Sequence, residues 1–305
     1  MNSRPARQCI ADAVVESNVS VCQGHWRFVL RADRFPECLP GQFINILCRD
    51  RATEDETPDG PARLSGPFLR RPFSIAELRR QGQTTWMDII HHLIGPGTAW
   101  LAARRPGDRV NILGPLGRPF NVDPATRRAV LVAGGIGIPP LLWLARTLTE
   151  AGVSPLLLYG VRSASVLPLA IDRQAVHRGR SLAPTQSVIE LRRFGVPALL
   201  CTDDGSLGWA GLVTEALAGL WEERAPDSGT CVYTCGPEAM MGGVAQTCAA
   251  RGVPCQACLE RVMGCGLGTC QSCVVKVRDP GAPAGWRYGL CCTDGPVFDA
   301  QSVIW

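Results

Sequence analysis

Between Met263 and Cys273 the chain reads Met-Gly-Cys-Gly-Leu-Gly-Thr-Cys-Gln-Ser-Cys, so that thiols recur as C-x4-C-x2-C with glycines at 264, 266 and 268 set among them. Glycines let a backbone wrap closely and turn its N–H groups toward sulfur. The spacing is the plant-type ligand pattern of a [2Fe-2S] cluster and predicts a chain that carries electrons. Four thiolates hold such a cluster, so a fourth must come from further along, and the doublet Cys291-Cys292 supplies it without the spacing choosing between the two. A zinc site more commonly uses two C-x2-C-like pairs; structural zinc and unligated thiols are the competing readings.

At 305 residues the chain is long for one core, and two or three domains are expected. Its net charge of +4, from 31 basic and 27 acidic residues, is small and scattered, which argues against a nucleic-acid surface. The N-terminus lacks an apolar signal core, and no apolar run approaches the about 18 residues of a membrane span. A soluble, cytoplasmic protein is therefore expected, and its fifteen cysteines are not read as a disulfide framework. Cys9, Cys22, Cys38, Cys48, Cys201, Cys231 and Cys248 sit singly among apolar neighbours and read as small buried hydrophobes.

Up to about residue 122 short alternating runs (Trp26 to Leu30, Gln42 to Leu47, Arg71 to Ile75, Thr85 to Ile90, Arg109 to Leu113) predict an antiparallel barrel. The acidic, proline-containing stretch from Asp50 to Gly66 reads as an exposed loop. Past Pro124 the pattern changes. An apolar run at Ala129 to Ala133, glycines, a helical stretch at Leu141 to Ala151 and another apolar run at Leu156 to Tyr159 describe a βαβ unit on a parallel sheet. Further strands are expected at Ala198 to Cys201 and Thr230 to Thr234, and helices at Gly211 to Arg224 and Glu238 to Arg251, whereas Asp172 to Arg193 is unreadable. The expected domains are 1–123, 124–253 and 254–305. The last is too small for a strong core, so its metal site would supply much of its stability.

Gly134-Gly135-Ile136-Gly137-Ile138-Pro139-Pro140 follows a buried strand and opens a helix, the placement that attracts a pyrophosphate, yet G-x-G-x-x-P is not the dinucleotide fingerprint. A merely tight turn is the alternative. Arg71-Pro72-Phe73-Ser74 reads by itself as one barrel strand, and Gly95-Pro96-Gly97-Thr98 as a glycine turn opening a helix at Ala99 to Arg104. Together they offer a guanidinium for phosphate, a hydroxyl and a helix start, the parts of a flavin dinucleotide site.

The three segments in this order resemble the ferredoxin-reductase superfamily and, over nearly the whole chain, its branch of electron-transfer subunits of type B dihydroorotate dehydrogenase. The resemblance implies an N-terminal FAD-binding barrel, a Rossmann-like NAD(H)-binding domain and a C-terminal [2Fe-2S] module. It implies that Arg71 contacts the FAD phosphate, Phe73 packs against the flavin, and Ser74 hydrogen-bonds near its redox edge, with Pro72 in the same motif. Gly97 and Thr98 match a second FAD-contacting turn, and Gly114 to Gly117 the family's G-P-L-G. Gly135, Gly137 and Pro140, with Cys235, Gly236 and Pro237 of a C-G-P segment, match the pyridine nucleotide site. In this branch a ligand cysteine stands three residues before G-P-V-F, which selects Cys292 to join Cys265, Cys270 and Cys273. Asp204-Gly205-Ser206 resembles a further stretch of the branch.

The resemblance also implies a partner, an FMN-bearing dihydroorotate dehydrogenase catalytic subunit in a heterotetramer of two of each, and favours NADH over NADPH. FAD is then the converter between electron pairs and single electrons, and no acid or base residue is required. His25, His91, His92 and His177 read as structural or solvated. The Asp50 to Gly66 insertion and the long arm between Cys273 and Cys292 depart from the branch, while Cys255 and Cys258 read as core. Two alternatives stay open: a reductase subunit serving a hydrogenase, a sulfite reductase or a ferredoxin, and a zinc-stabilised interaction module on a degenerate reductase scaffold.

Overall fold

The computed structural model describes residues 8–50, 66–177 and 179–305. Most of the Asp50 to Gly66 insertion, residues 51–65, lies outside them. The first segment runs β1 (Cys9–Cys22), β2 (His25–Asp33), β3 (Phe43–Leu47), β4 (Arg71–Ser74), β5 (Glu77–Gln81), β6 (Thr84–His92), α1 (Pro96–Ala102) and β7 (Arg109–Leu116). Its antiparallel sheet has the order β4-β3-β7-β1-β2-β6-β5. Alternate residues on β2, Phe28, Leu30 and Ala32, turn inward to meet Ile44, Ile46, Met87 and Ile89, as the two-residue period of a strand dictates. The sheet curls until the Ala76 N–H reaches Asp88 O at 2.7 Å. This is the expected barrel. Pro72 sits on its edge strand β4, where a missing N–H is tolerated.

The second segment runs β8 (Arg128–Gly134), α2 (Ile138–Glu150), β9 (Ser154–Val161), α3 (Ile189–Arg192), β10 (Ala198–Thr202), β11 (Trp209–Ala210), α4 (Val213–Glu223), β12 (Thr230–Cys235), α5 (Glu238–Ala249) and β13 (Cys255–Cys258). The remaining strands are β14 (Val274–Arg278), β15 (Trp286–Leu290) and β16 (Val297–Asp299). The second sheet has the order β11-β10-β9-β8-β12-β13-β16, parallel except where β16 runs antiparallel to β13. Its central strands are buried along almost their whole length, as strands covered on both faces must be. The two strands bracketing the thiol run, β13 and β16, thus complete the nucleotide sheet, and only the β14-β15 hairpin stands apart. Cys255 and Cys258 are buried in β13 as expected; Cys9 and Cys22 differ from expectation in being only half-buried at the ends of β1.

Barrel and nucleotide sheet are joined by packing and by charge. Trp143 of α2, 7% exposed, enters the barrel's own apolar core. Glu77 of β5 accepts Arg146 of α2 at 3.3 Å and Arg193 at 2.6 Å, while Arg27 of β2 reaches Glu190 of α3 at 3.3 Å. Among the described residues no helix is long and apolar enough to cross a membrane. Truncating Trp143 to alanine removes a large buried side chain that spans two segments, and about 3–5 kcal/mol of stability should go with it. Thermal unfolding checks this; an unchanged midpoint would refute the joint.

Candidate functional site

The thiol run forms a loop whose turns need glycine: Gly266 and Gly268 hold φ of +75° and +85°. This backbone aims N–H groups at sulfur. Leu267 N and Cys270 N lie 3.3 and 3.4 Å from Cys265 Sγ, and the Gly268 N–H bonds the Cys292 thiol. Ser272 Oγ, which receives the Gly264 N–H at 2.9 Å, lies 3.2 Å from Cys270 Sγ. The Cys270 thiol interacts with that of Cys265, and the Cys292 thiol with that of Cys273.

Two pairs of thiols on one wrapped loop suit two irons taking two thiolates each. Cys291 turns the other way. Its Sγ donates to Leu259 O at 3.3 Å, and its backbone N–H holds Cys273 O at 2.9 Å. Of the doublet, Cys292 therefore faces the loop and Cys291 supports it from behind. Burial pushes both the Cys291 and Cys292 thiols up to about 12, so a positive centre is needed to deprotonate Cys292. Cys270 is exposed, and hydrogen bonds from Ser272 bring it down to about 6.

The loop is seated on the barrel. Asn45 Nδ2 of β3 donates to Cys265 O at 3.2 Å. Beyond β7, the Arg118 N–H donates to Gly295 O at 2.6 Å, and Arg118 Nε to Thr293 O at 3.2 Å, just past Cys292. A Cβ at Gly117 would collide with Pro296, so the G-P-L-G turn must end in glycine to receive the module.

On β4, among the described residues, no carboxylate pairs with the Arg71 guanidinium, which touches only the carbonyls of Leu69 and Arg70 at 3.0 and 3.3 Å. Gly97 brings the G-P-G-T turn against it: a Cβ there would stand 3.2 Å from Arg71 Cγ. Thr98 Oγ1 accepts the N–H groups of Ile94 and Gly95 at 3.0 and 3.2 Å, fixing that turn. Arg71, Pro72 and Ser74 stay half-exposed, but Phe73 faces the barrel core, edge-on to His91 with 6.1 Å between ring centroids. His91, read from sequence as structural, is buried with neither ring nitrogen bonded, and burial lowers it to about 4, which keeps it neutral.

The glycine turn after β8 and the C-G-P turn after β12 interlock. A Cβ on Gly137 would strike the Cys235 carbonyl, and one on Gly134 would strike Pro237 and Met240. Gly236, at φ +153°, passes against Gly134. Tyr159 Oη donates to Gly135 O at 2.9 Å. Pro139 and Pro140 in the first turn of α2 remove two N–H donors, so this helix start offers fewer contacts to phosphate than the dinucleotide fingerprint does. A cleft of about 620 Å³ between β5 and α2 lies apart from these motifs; Glu77, Arg146, Glu150 and Arg193 on its walls already pair with one another.

A family model for the iron-sulfur cluster binding domain of dihydroorotate dehydrogenase B matches residues 260–304. The chain is 38% identical over 268 residues to the electron transfer subunit of dihydroorotate dehydrogenase B (NAD(+)) of Geobacillus thermodenitrificans, covering 87% of this chain and 86% of that one. With the Fusobacterium nucleatum subunit of the same name it shares 31% over 297 residues, 96% and 98% of the two chains. Among solved structures, an NADH-dependent reduced ferredoxin-NADP oxidoreductase studied for flavin-based electron bifurcation superposes with a TM-score of 0.72 at 25% identity, over 96% of this chain and 90% of that one. Phthalate dioxygenase reductase shares the fold at a TM-score of 0.55 and 18% identity, over 92% and 76%.

In protein stripped of metal, Cys270 should exist mainly as thiolate above about pH 6 and lose reactivity below it. Ser272→Ala should move the alkylation half-point of Cys270 upward, read by mass spectrometry across a pH series. A half-point that stays put would show that Ser272 does not govern this thiol.

Proposed function

Because the chain belongs to the electron transfer subunits of dihydroorotate dehydrogenase B, we propose that it links an FMN-containing catalytic subunit with NAD in pyrimidine biosynthesis. The observation that carries this reading is the wrapped loop with its two thiol pairs, seated on the barrel strand β3 that pairs with Arg71-Pro72-Phe73-Ser74. When bound, FAD exchanges electron pairs with NAD(H) and single electrons with a [2Fe-2S] cluster.

The chain's own residues provide binding and orientation. Cys265, Cys270, Cys273 and Cys292 hold the cluster, with N–H groups of Leu267, Cys270 and Gly268 turned to the sulfurs. Arg71, which no carboxylate pairs among the described residues, takes the FAD phosphate, and Pro72 and Ser74 offer the half-exposed surface for the flavin, with Phe73 packed behind them. Gly97 and Thr98 shape the turn beside Arg71. Gly135, Gly137 and Pro140 with Cys235, Gly236 and Pro237 form the floor for the pyridine nucleotide. No side chain is assigned as general acid or base, since orientation and electrostatics suffice for electron transfer. Residues 1–123, 124–253 and 254–305 are the corresponding units, the last lending β13 and β16 to the nucleotide sheet, and the assembly is two of each subunit in the cytoplasm. The hydrogenase, sulfite reductase and ferredoxin alternatives give way because relatives matched over 86% and 98% of their length are named for dihydroorotate dehydrogenase B.

Anaerobically purified chain should contain FAD, iron and acid-labile sulfide, reduce an artificial acceptor with NADH, and leave dihydroorotate untouched unless the FMN subunit is added. Turnover of dihydroorotate by this chain alone would overturn the assignment. Cys292→Ser should lose iron and sulfide, whereas Cys291→Ser should keep both; the reverse pattern would exchange their roles.

A further inference from the structure

Asn45 is a polar residue where the barrel pattern calls for an apolar one. It lies in β3 between Ile44 and Ile46, whose side chains fill the barrel core, so strand alternation turns Asn45 to the other face, toward the thiol loop. Only 1% of it is exposed. Its cross-strand partner on β4 is Pro72, inside the Arg71-Pro72-Phe73-Ser74 motif, and on β7 it is Leu113. Its Nδ2 donates to the carbonyl of Cys265 at 3.2 Å. Among the described residues this is the one side-chain hydrogen bond from the barrel to the loop between Cys265 and Cys273. Gly266 presses so closely on Nδ2 that a Cβ there would collide with it. Asn45 Oδ1, equally buried, has no hydrogen-bond partner, the mark of a polar group kept for something other than packing.

We infer that Asn45 is the positioning residue that registers the thiol loop on the flavin-bearing strand and sets the electrostatics of the cluster there. The inference rests on the proposed FAD and [2Fe-2S] assignment and extends it to a residue outside all of the motifs. Two attachments hold the thiol set to the barrel, Asn45 at the Cys265 end and Arg118 at the Cys292 end. The Arg118 attachment is made by its backbone N–H, which any residue but proline would supply, and by its Nε on Thr293 O, and it reaches the segment past Cys292 and not the thiol loop itself. The Asn45 attachment depends on side-chain identity. Its amide presents the positive end of a dipole to the Cys265 backbone, which favours the electron-rich, reduced cluster. Small displacements of reacting partners are costly: about 1 Å can cost on the order of 100-fold in rate.

The test uses the full chain with its cofactors and Asn45→Leu, which keeps the branched shape and removes both polar atoms. NADH supplies an electron pair and a proton to FAD; one of the two electrons then turns one ferric ion of the cluster ferrous, and the other stays on the flavin. Anaerobic stopped-flow spectroscopy resolves flavin bleaching from cluster reduction. A redox titration followed by electron paramagnetic resonance reads the cluster's potential and spectrum. In the variant, flavin bleaching by NADH should be unchanged, cluster reduction should slow by about tenfold or more, and the cluster potential should become more negative with an altered spectrum. A loaded variant with wild-type rate, potential and spectrum overturns the inference and leaves the functional reading intact. Wild-type protein free of iron and sulfide overturns the functional reading, and this inference with it. If Asn45→Leu fails to load, hydrogen exchange compares metal-free wild type and variant. Faster exchange confined to residues 264–273 supports the tether, and unchanged or global exchange overturns it.

Discussion

Thiolates gathered at one place repel one another, and the whole C-terminal third is arranged to offset that repulsion. Backbone N–H groups provide the compensation, because they carry partial positive charge and cost no side chain. To point several of them inward over so few residues, the chain must enter conformations that side chains resist, which is why Gly266 and Gly268 stand where they do. The same need explains the tight seating. A loop that spends its N–H groups on sulfur has few left for its own secondary structure, so its shape is imposed from outside, by Asn45 and Arg118 of the barrel and by Cys291 behind it.

Much of this was legible in the residues and some was not. Parallel strands such as β8 and β10 are covered on both faces and write themselves as largely apolar runs, and helix α2 follows the 3.6-residue period. The longest strand, β1, left no such trace. Register shifts beside Ser17 and Cys22 break its alternation, and much of its second half is exposed. The β5 strand is a polar edge of the sheet and carries no alternating apolar pattern to mark it. Membership of β13 and β16 in the nucleotide sheet depends on pairings with β12 and with each other across the thiol run, distances in sequence that no local pattern records.

The sites divide in the same way. Thiol spacing and glycine turns are local facts, so Cys265, Cys270, Cys273 and the G-x-G-x-x-P turn could be named from the residues, whereas Cys292 and the C-G-P turn were implied only by the family resemblance. That Gly137 meets the Cys235 carbonyl could be named from neither, since it follows from β8 and β12 lying side by side in the folded sheet. For Phe73 the motif gave a residue type, and only the folded strand shows that its ring joins the barrel core beside His91. Asn45 carried no signal at all, because one amide in an apolar strand looks like noise until the loop that it meets is brought to it from 220 positions away.

The thiol loop is an excursion between two neighbouring strands of one sheet, β13 leading out and β16 returning. Its ends are brought together only when those strands pair, and its roof is supplied by a barrel made from the opposite end of the chain. Closing so long a loop is entropically unfavourable until the rest has formed. The four thiols therefore share one place only in a chain whose two sheets have met, which makes the electron-carrying site a product of the whole molecule and of no single segment.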